Sequence, residues 1–91
     1  MISPVLELLK KINEGVIIYE PFRRDAQGMQ EFQDIVHRLQ EMERQGLIGR
    51  LFIQKRMGVS VEYIDMVMVQ NGLTVEGKRL LAEHERRSQS N

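Results

Sequence analysis

Ninety-one residues allow one small hydrophobic core rather than two, and 42% hydrophobic with 29% charged residues is the balance of an ordinary globular chain, not of a disordered or membrane one. The absence of cysteine excludes disulfide staples, thiolate zinc sites and a cysteine nucleophile, and suits a reducing, cytoplasmic setting. Thirteen basic side chains balance thirteen acidic ones, so no global field gathers nucleic acid and any DNA affinity has to come from a local patch.

Ser3 to Gly15 reads as a helix, with Ser3 as its cap, Pro4 at the first helical position and Gly15 as the left-handed closing residue. Val5, Leu8, Leu9 and Ile12 form one apolar stripe, and Glu7, Lys10, Lys11 and Glu14 lie opposite. These charges also interrupt the first apolar stretch, so neither a secretory signal nor a membrane-spanning run is expected. Val16 to Glu20 (VIIYE) is β-branched and aromatic and stops at a proline, the pattern of a short edge strand. Pro21 to Gly28 (PFRRDAQG) is spaced with turn-formers and reads as a loop.

Met29 to Gln45 is the strongest helix, with Phe32, Ile35, Val36, Leu39 and Met42 at steps of three or four, and Gly46 ends it. Leu47 to Arg56 then alternates as a strand, with Leu51, Ile53 and Lys55 on one side and Phe52, Gln54 and Arg56 on the other. After the turn MGVS, Val61 to Gln70 returns as a second strand that is apolar on both faces: Val61, Tyr63, Val67 and Val69 on one, Ile64, Met66 and Met68 on the other. Asn71 and Gly72 break it, Leu73 turns back to the core, and Thr74 caps a last helix reaching about Arg87, with residues 88–91 expected to fray. Gly77 inside that helix costs about 1 kcal/mol against alanine, which predicts a close backbone approach.

Helix, short strand, loop, long helix, long hairpin, helix is an order that resembles a winged-helix domain whose second helix is missing or shrunken. The segment IVHRLQEMERQGLIGR resembles the helix-to-wing junction of bacterial winged helix-turn-helix regulators of the MarR and PadR type, and NGLTVEGKRLL resembles the return from the wing in small bacterial and phage-borne winged-helix proteins. Together they span Ile35 to Leu81, about half of the chain. The resemblance implies an α+β fold, a single winged-helix-like domain over residues 1–91, with three helices and a small three-stranded antiparallel sheet that includes a long β-hairpin wing. It also implies a DNA-binding, transcription-regulatory protein acting on double-stranded DNA as a homodimer. In such proteins the helix before the wing enters the major groove and the wing tip rests on the neighbouring backbone or minor groove. By position, Gln30, Gln33, Asp34, His37 and Arg38 would face the groove and Lys55 and Arg56 would form the wing tip, while Arg23 and Arg24 could reach phosphate from the loop.

Other features pull against DNA. From Gln30 to Gln45 the helix carries two arginines against four acids, a net of −2 that phosphates repel. Cations at strand ends also discourage edge-to-edge pairing and need no ligand. The rival expectation is therefore a protein-interaction or dimerisation module that uses the apolar sheet residues Phe52, Ile64, Met66 and Met68 or the last-helix surface of Leu80, Leu81 and His84. His37 and His84 have no ligands at metal spacing, and no glycine-rich phosphate loop or acid–base constellation is present, so no enzyme activity, metal, cofactor or small-molecule substrate is expected. Asp65, the one acid within an apolar strand, calls for a cationic partner such as Arg50 on the facing strand.

Overall fold

The computed structural model describes residues 4–59 and 62–89, so Ser3, the end of the expected hairpin turn and Val61 lie outside the described residues. Its elements follow the order α1 (Pro4–Asn13), β1 (Ile18–Tyr19), α2 (Ala26–Arg44), β2 (Leu51–Met57), β3 (Glu62–Val69) and α3 (Val75–Gln89). Three helices and a three-stranded antiparallel sheet make it an α+β fold.

The apolar stripe of α1 buries Leu8, Leu9 and Ile12, and the helix closes as its glycine predicts. Gly15 has φ +100°, its N–H donates to the Ile12 carbonyl at 3.0 Å, and the Val16 N–H reaches back to Lys11 at 2.9 Å. Of the expected five-residue strand, Ile18 and Tyr19 pair with β3, opposite Met68 and Val67, and the Ile17 carbonyl accepts the Val69 N–H at 2.8 Å. Pro21 soon after them has no N–H with which to extend the ladder.

The helix α2 starts three residues earlier than the sequence suggests, which corrects the expected loop through Gly28. Asp25 is its N-cap, and the side chain accepts the Gly28 N–H at 2.7 Å. Gly28 is buried in the first turn with its Cα against the carbonyl of Arg23, so the residue that looked like a breaker is a contact surface. Phe32, Val36, Leu39 and Met42 are buried along the same helix.

Beyond α2, Ile48 bridges Leu73 and the Leu51 N–H donates to Glu43 Oε2 at 2.8 Å, which ties the end of the helix to the start of β2. β3 lies at the centre of the sheet, whose order is β1-β3-β2. Its residues Asp65, Val67 and Val69 face the helices and are buried. The register between β2 and β3 shifts after Gln54: Gln54 opposes Met66 but Lys55 opposes Ile64, leaving Asp65 as an extra residue on β3. Such a bulge re-aims the side chains beyond it.

Thr74 caps α3 by accepting the Gly77 N–H at 3.0 Å, and its hydroxyl donates to the Gly46 carbonyl just beyond α2 at 2.6 Å. α3 packs on α1, and its Leu81 is only 5% exposed. Leu81 is thus a core residue, which corrects its expected place on a partner surface. The Cα radius of gyration is 14.4 Å, against about 12 Å for a compact domain of this length. The largest extent of the molecule, 52 Å, is twice the next, 25 Å.

Candidate nucleic-acid interface

Residues 20–25, between β1 and α2, carry Phe22, Arg23 and Arg24 past the bulged part of the sheet. There the Arg24 Nη1 lies 2.8 Å from Asp65 Oδ1, and the Arg56 Nη2 lies 3.4 Å from Asp65 Oδ2. Each carboxylate oxygen therefore takes one guanidinium. This corrects two expectations. The partner of Asp65 is not Arg50, whose carbonyl instead accepts the Gln70 N–H at the far end of the hairpin at 2.8 Å. Ile64 also leaves the side of Met66 and Met68 that strict alternation assigns it, because the extra residue on β3 shifts that strand's alternation: it packs against the core and lines a hollow with Gln33 of α2.

The geometry of the three groups is asymmetric. The Asp65 side chain is 8% exposed, whereas those of Arg24 and Arg56 are 57% and 58% exposed. The hydrogen bond from Arg24 and the charge of Arg56 hold the Asp65 carboxyl below its ordinary range, outweighing the burial that would raise it. Arg24 in turn is held more firmly protonated by the same hydrogen bond. The cluster keeps a net charge of one positive unit, and each guanidinium has N–H donors left over.

A shallow groove continues from this cluster between the first half of α2 and the hairpin. Arg24, Met29 and Tyr63 line one hollow, and Gln33, Lys55, Glu62, Tyr63 and Ile64 line the next, with Tyr63 shared. Arg24, Arg56, Lys55 and Gln33 are thereby brought together from three segments, and Arg23 adjoins them in sequence. Lys55 lies 3.5 Å from Glu62 and Arg23 lies 3.8 Å from Asp25, exposed pairs of small energetic weight. Gln30, Asp34 and His37 are exposed on α2. Arg38 is not part of the groove. It lines a hollow with Pro4, Glu7, Lys11 and Ile35 on the α1 side.

The apolar candidates divide similarly. Across the sheet, Ile18, Met68 and Phe52 form one rung, with Ile18 55% and Phe52 47% exposed. Ile64, Met66 and Met68 are half-buried, Leu80 is 37% exposed and His84 is half-buried. The hydroxyl of Tyr19 is buried with no hydrogen-bond partner among the described residues, and burial pushes its pKa up to about 12. It remains a neutral phenol at any physiological pH.

Sequence reasoning missed Phe22, which is 96% exposed beside the arginine pair. Its signal was legible at strand spacing, where the neighbours of Phe22 are Glu20 and Arg24, and in the proline before it, which ends the apolar run. Among the described residues, no group of three or more histidine, aspartate or glutamate side chains is placed to hold a metal ion, and no helix is long and apolar enough to cross a membrane. Comparison with family models, with curated proteins and with solved structures found no match for this chain.

Proposed function

We propose that the chain is a winged-helix protein of bacterial or phage type that binds DNA and regulates transcription, with the β2–β3 hairpin as its wing and the groove beside α2 as its contact surface. The observation that carries this reading is the pair Arg24 and Arg56, drawn from separate segments to one buried carboxylate while both guanidinium groups stay more than half exposed. An acid needed only for local neutrality is satisfied by one cation. With two, Asp65 fixes a cationic pair in place and leaves N–H donors toward solvent, which is what a phosphate oxygen requires. Lys55 and Gln33 along the same groove add a further cation and an amide. The strand order β1-β3-β2, with α1 before β1 and α2 between β1 and the hairpin, supports the winged-helix part of the reading.

The test is fluorescence anisotropy on duplex DNA at low salt. The wild-type chain should bind, and replacing Arg24 and Arg56 together by alanine should remove most of that affinity. A wild-type chain that binds no duplex sinks the reading.

A second reading is supported by the exposed rung of Ile18, Met68 and Phe52, together with zero net charge. On this reading the winged helix is a protein-interaction or dimerisation module that does not use DNA. Sedimentation at several loadings separates the two: self-association that Phe52→Asp abolishes favours the module, and a monomer at every loading counts against its dimeric form.

A further inference from the structure

We infer that Phe22 stacks on an exposed nucleobase beside the phosphodiester held by Arg24 and Arg56, an assignment that rests on the nucleic-acid reading above. The other two phenylalanines are 1% and 47% exposed, whereas Phe22 is 96% exposed and contributes nothing to the core. A single exposed apolar residue needs no explanation by itself; the surroundings of this one supply a reason. Arg23 and Arg24 follow it directly, and Arg24 is anchored at 2.8 Å to a buried acid, so a fixed cation stands close to Phe22 along the chain. One residue, Arg23, lies between Phe22 and that anchor, so their Cα atoms are at most about 7 Å apart, the length scale of a single stretched nucleotide.

Chemistry selects nucleic acid among the surfaces that accept an aromatic ring. Every base offers a π-face whatever its sequence, and its phosphate lies next to it, so an aromatic beside an oriented cation matches one nucleotide at two points. An apolar pocket on a protein would leave the two guanidinium groups without a counterpart. The loop occupies the place of the helix missing from the winged-helix pattern, and the stack gives those residues a role that the lost helix would otherwise have filled through backbone contacts alone.

The chain has no tryptophan, so Phe22→Trp introduces a single tryptophan, which can be excited apart from the two tyrosines. The full chain is titrated with three labelled oligonucleotides: a single strand, a duplex of the same sequence, and an abasic strand with the same number of phosphates. Phe22→Ala should weaken binding to the single strand about tenfold, the order expected for one lost base stack, while its affinity for the abasic strand stays that of wild type. Phe22→Trp should keep the affinity, and its emission should be quenched by the base-bearing strand but not by the abasic one. An equal loss on the duplex makes the ring a wedge between base steps, and a loss on the single strand alone makes it a stacking platform; either upholds the contact.

If Phe22→Ala binds the base-bearing strand as wild type does, or loses as much on the abasic strand, the stack is overturned while the nucleic-acid reading stands. If the wild-type chain binds none of the three, that reading falls and the stack with it. Binding to phosphatidylserine vesicles in their place would reassign the ring to a lipid surface.

Discussion

Asp65 shows how one residue sets the character of the site. A carboxylate on a side chain only 8% exposed is retained only where its charge is answered, and Arg24 and Arg56 answer it from a loop and from the neighbouring strand. Because these contacts hold its folded-state pKa below the unfolded value of about 4, the stabilisation is complete above that pH and is lost as the pH falls through the folded value. Asp65→Asn should therefore be less stable than wild type at neutral pH, with the gap between their unfolding curves closing as the pH drops below about 4. Thirteen acids titrate in this chain, so the difference between the two proteins, and not either curve alone, is the readout. A gap of constant size from pH 7 to pH 3 would show that the charge of Asp65 is not what the arginines hold.

At the scale of elements, α3 is placed by a backbone contact. Gly77 is buried, and a Cβ built there would collide with the carbonyl oxygen of Leu47. In an open helix, alanine for glycine stabilises by about 1 kcal/mol. Here the obstacle is main chain that cannot rotate aside, and overpacking of that kind costs about 1–3 kcal/mol, so the expected sign reverses. Gly77→Ala should lower the midpoint of thermal unfolding by several degrees, about 4–8 °C for each kcal/mol lost, and a rise would show that α3 slides freely on Leu47. This contact was legible in the sequence because a glycine in mid-helix is a cost that asks for a reason. The apolar period of α2, the glycine that ends each of α1 and α2, and the Thr74 cap were legible on similar local grounds. Gly28 was not, because a glycine in the first turn of a helix has the same spelling as one in a loop. Nor was the side taken by Ile64, since a bulge leaves no mark in an alternating pattern: only its pairing with Lys55 and its packing against the core reveal it.

The whole molecule brings together what no local pattern could group. The basic residues Arg23, Arg24, Arg38, Lys55 and Arg56 look like one set along the chain, yet Arg38 turns toward α1 while Arg24 and Arg56 meet across 32 positions of sequence. With zero net charge, DNA would feel this local group and little else. If Arg24, Arg56 and Lys55 each touch one phosphate, the slope of log K against log salt for duplex should be about −3. Arg24→Ala and Arg56→Ala should each flatten it by about one unit. Arg38→Ala should leave the slope as it is, because its side chain lines the opposite hollow. A slope steeper than about −6 would require cations beyond this groove, and a flattening by Arg38→Ala would mean that DNA lies along α2 on its α1 side, away from the wing.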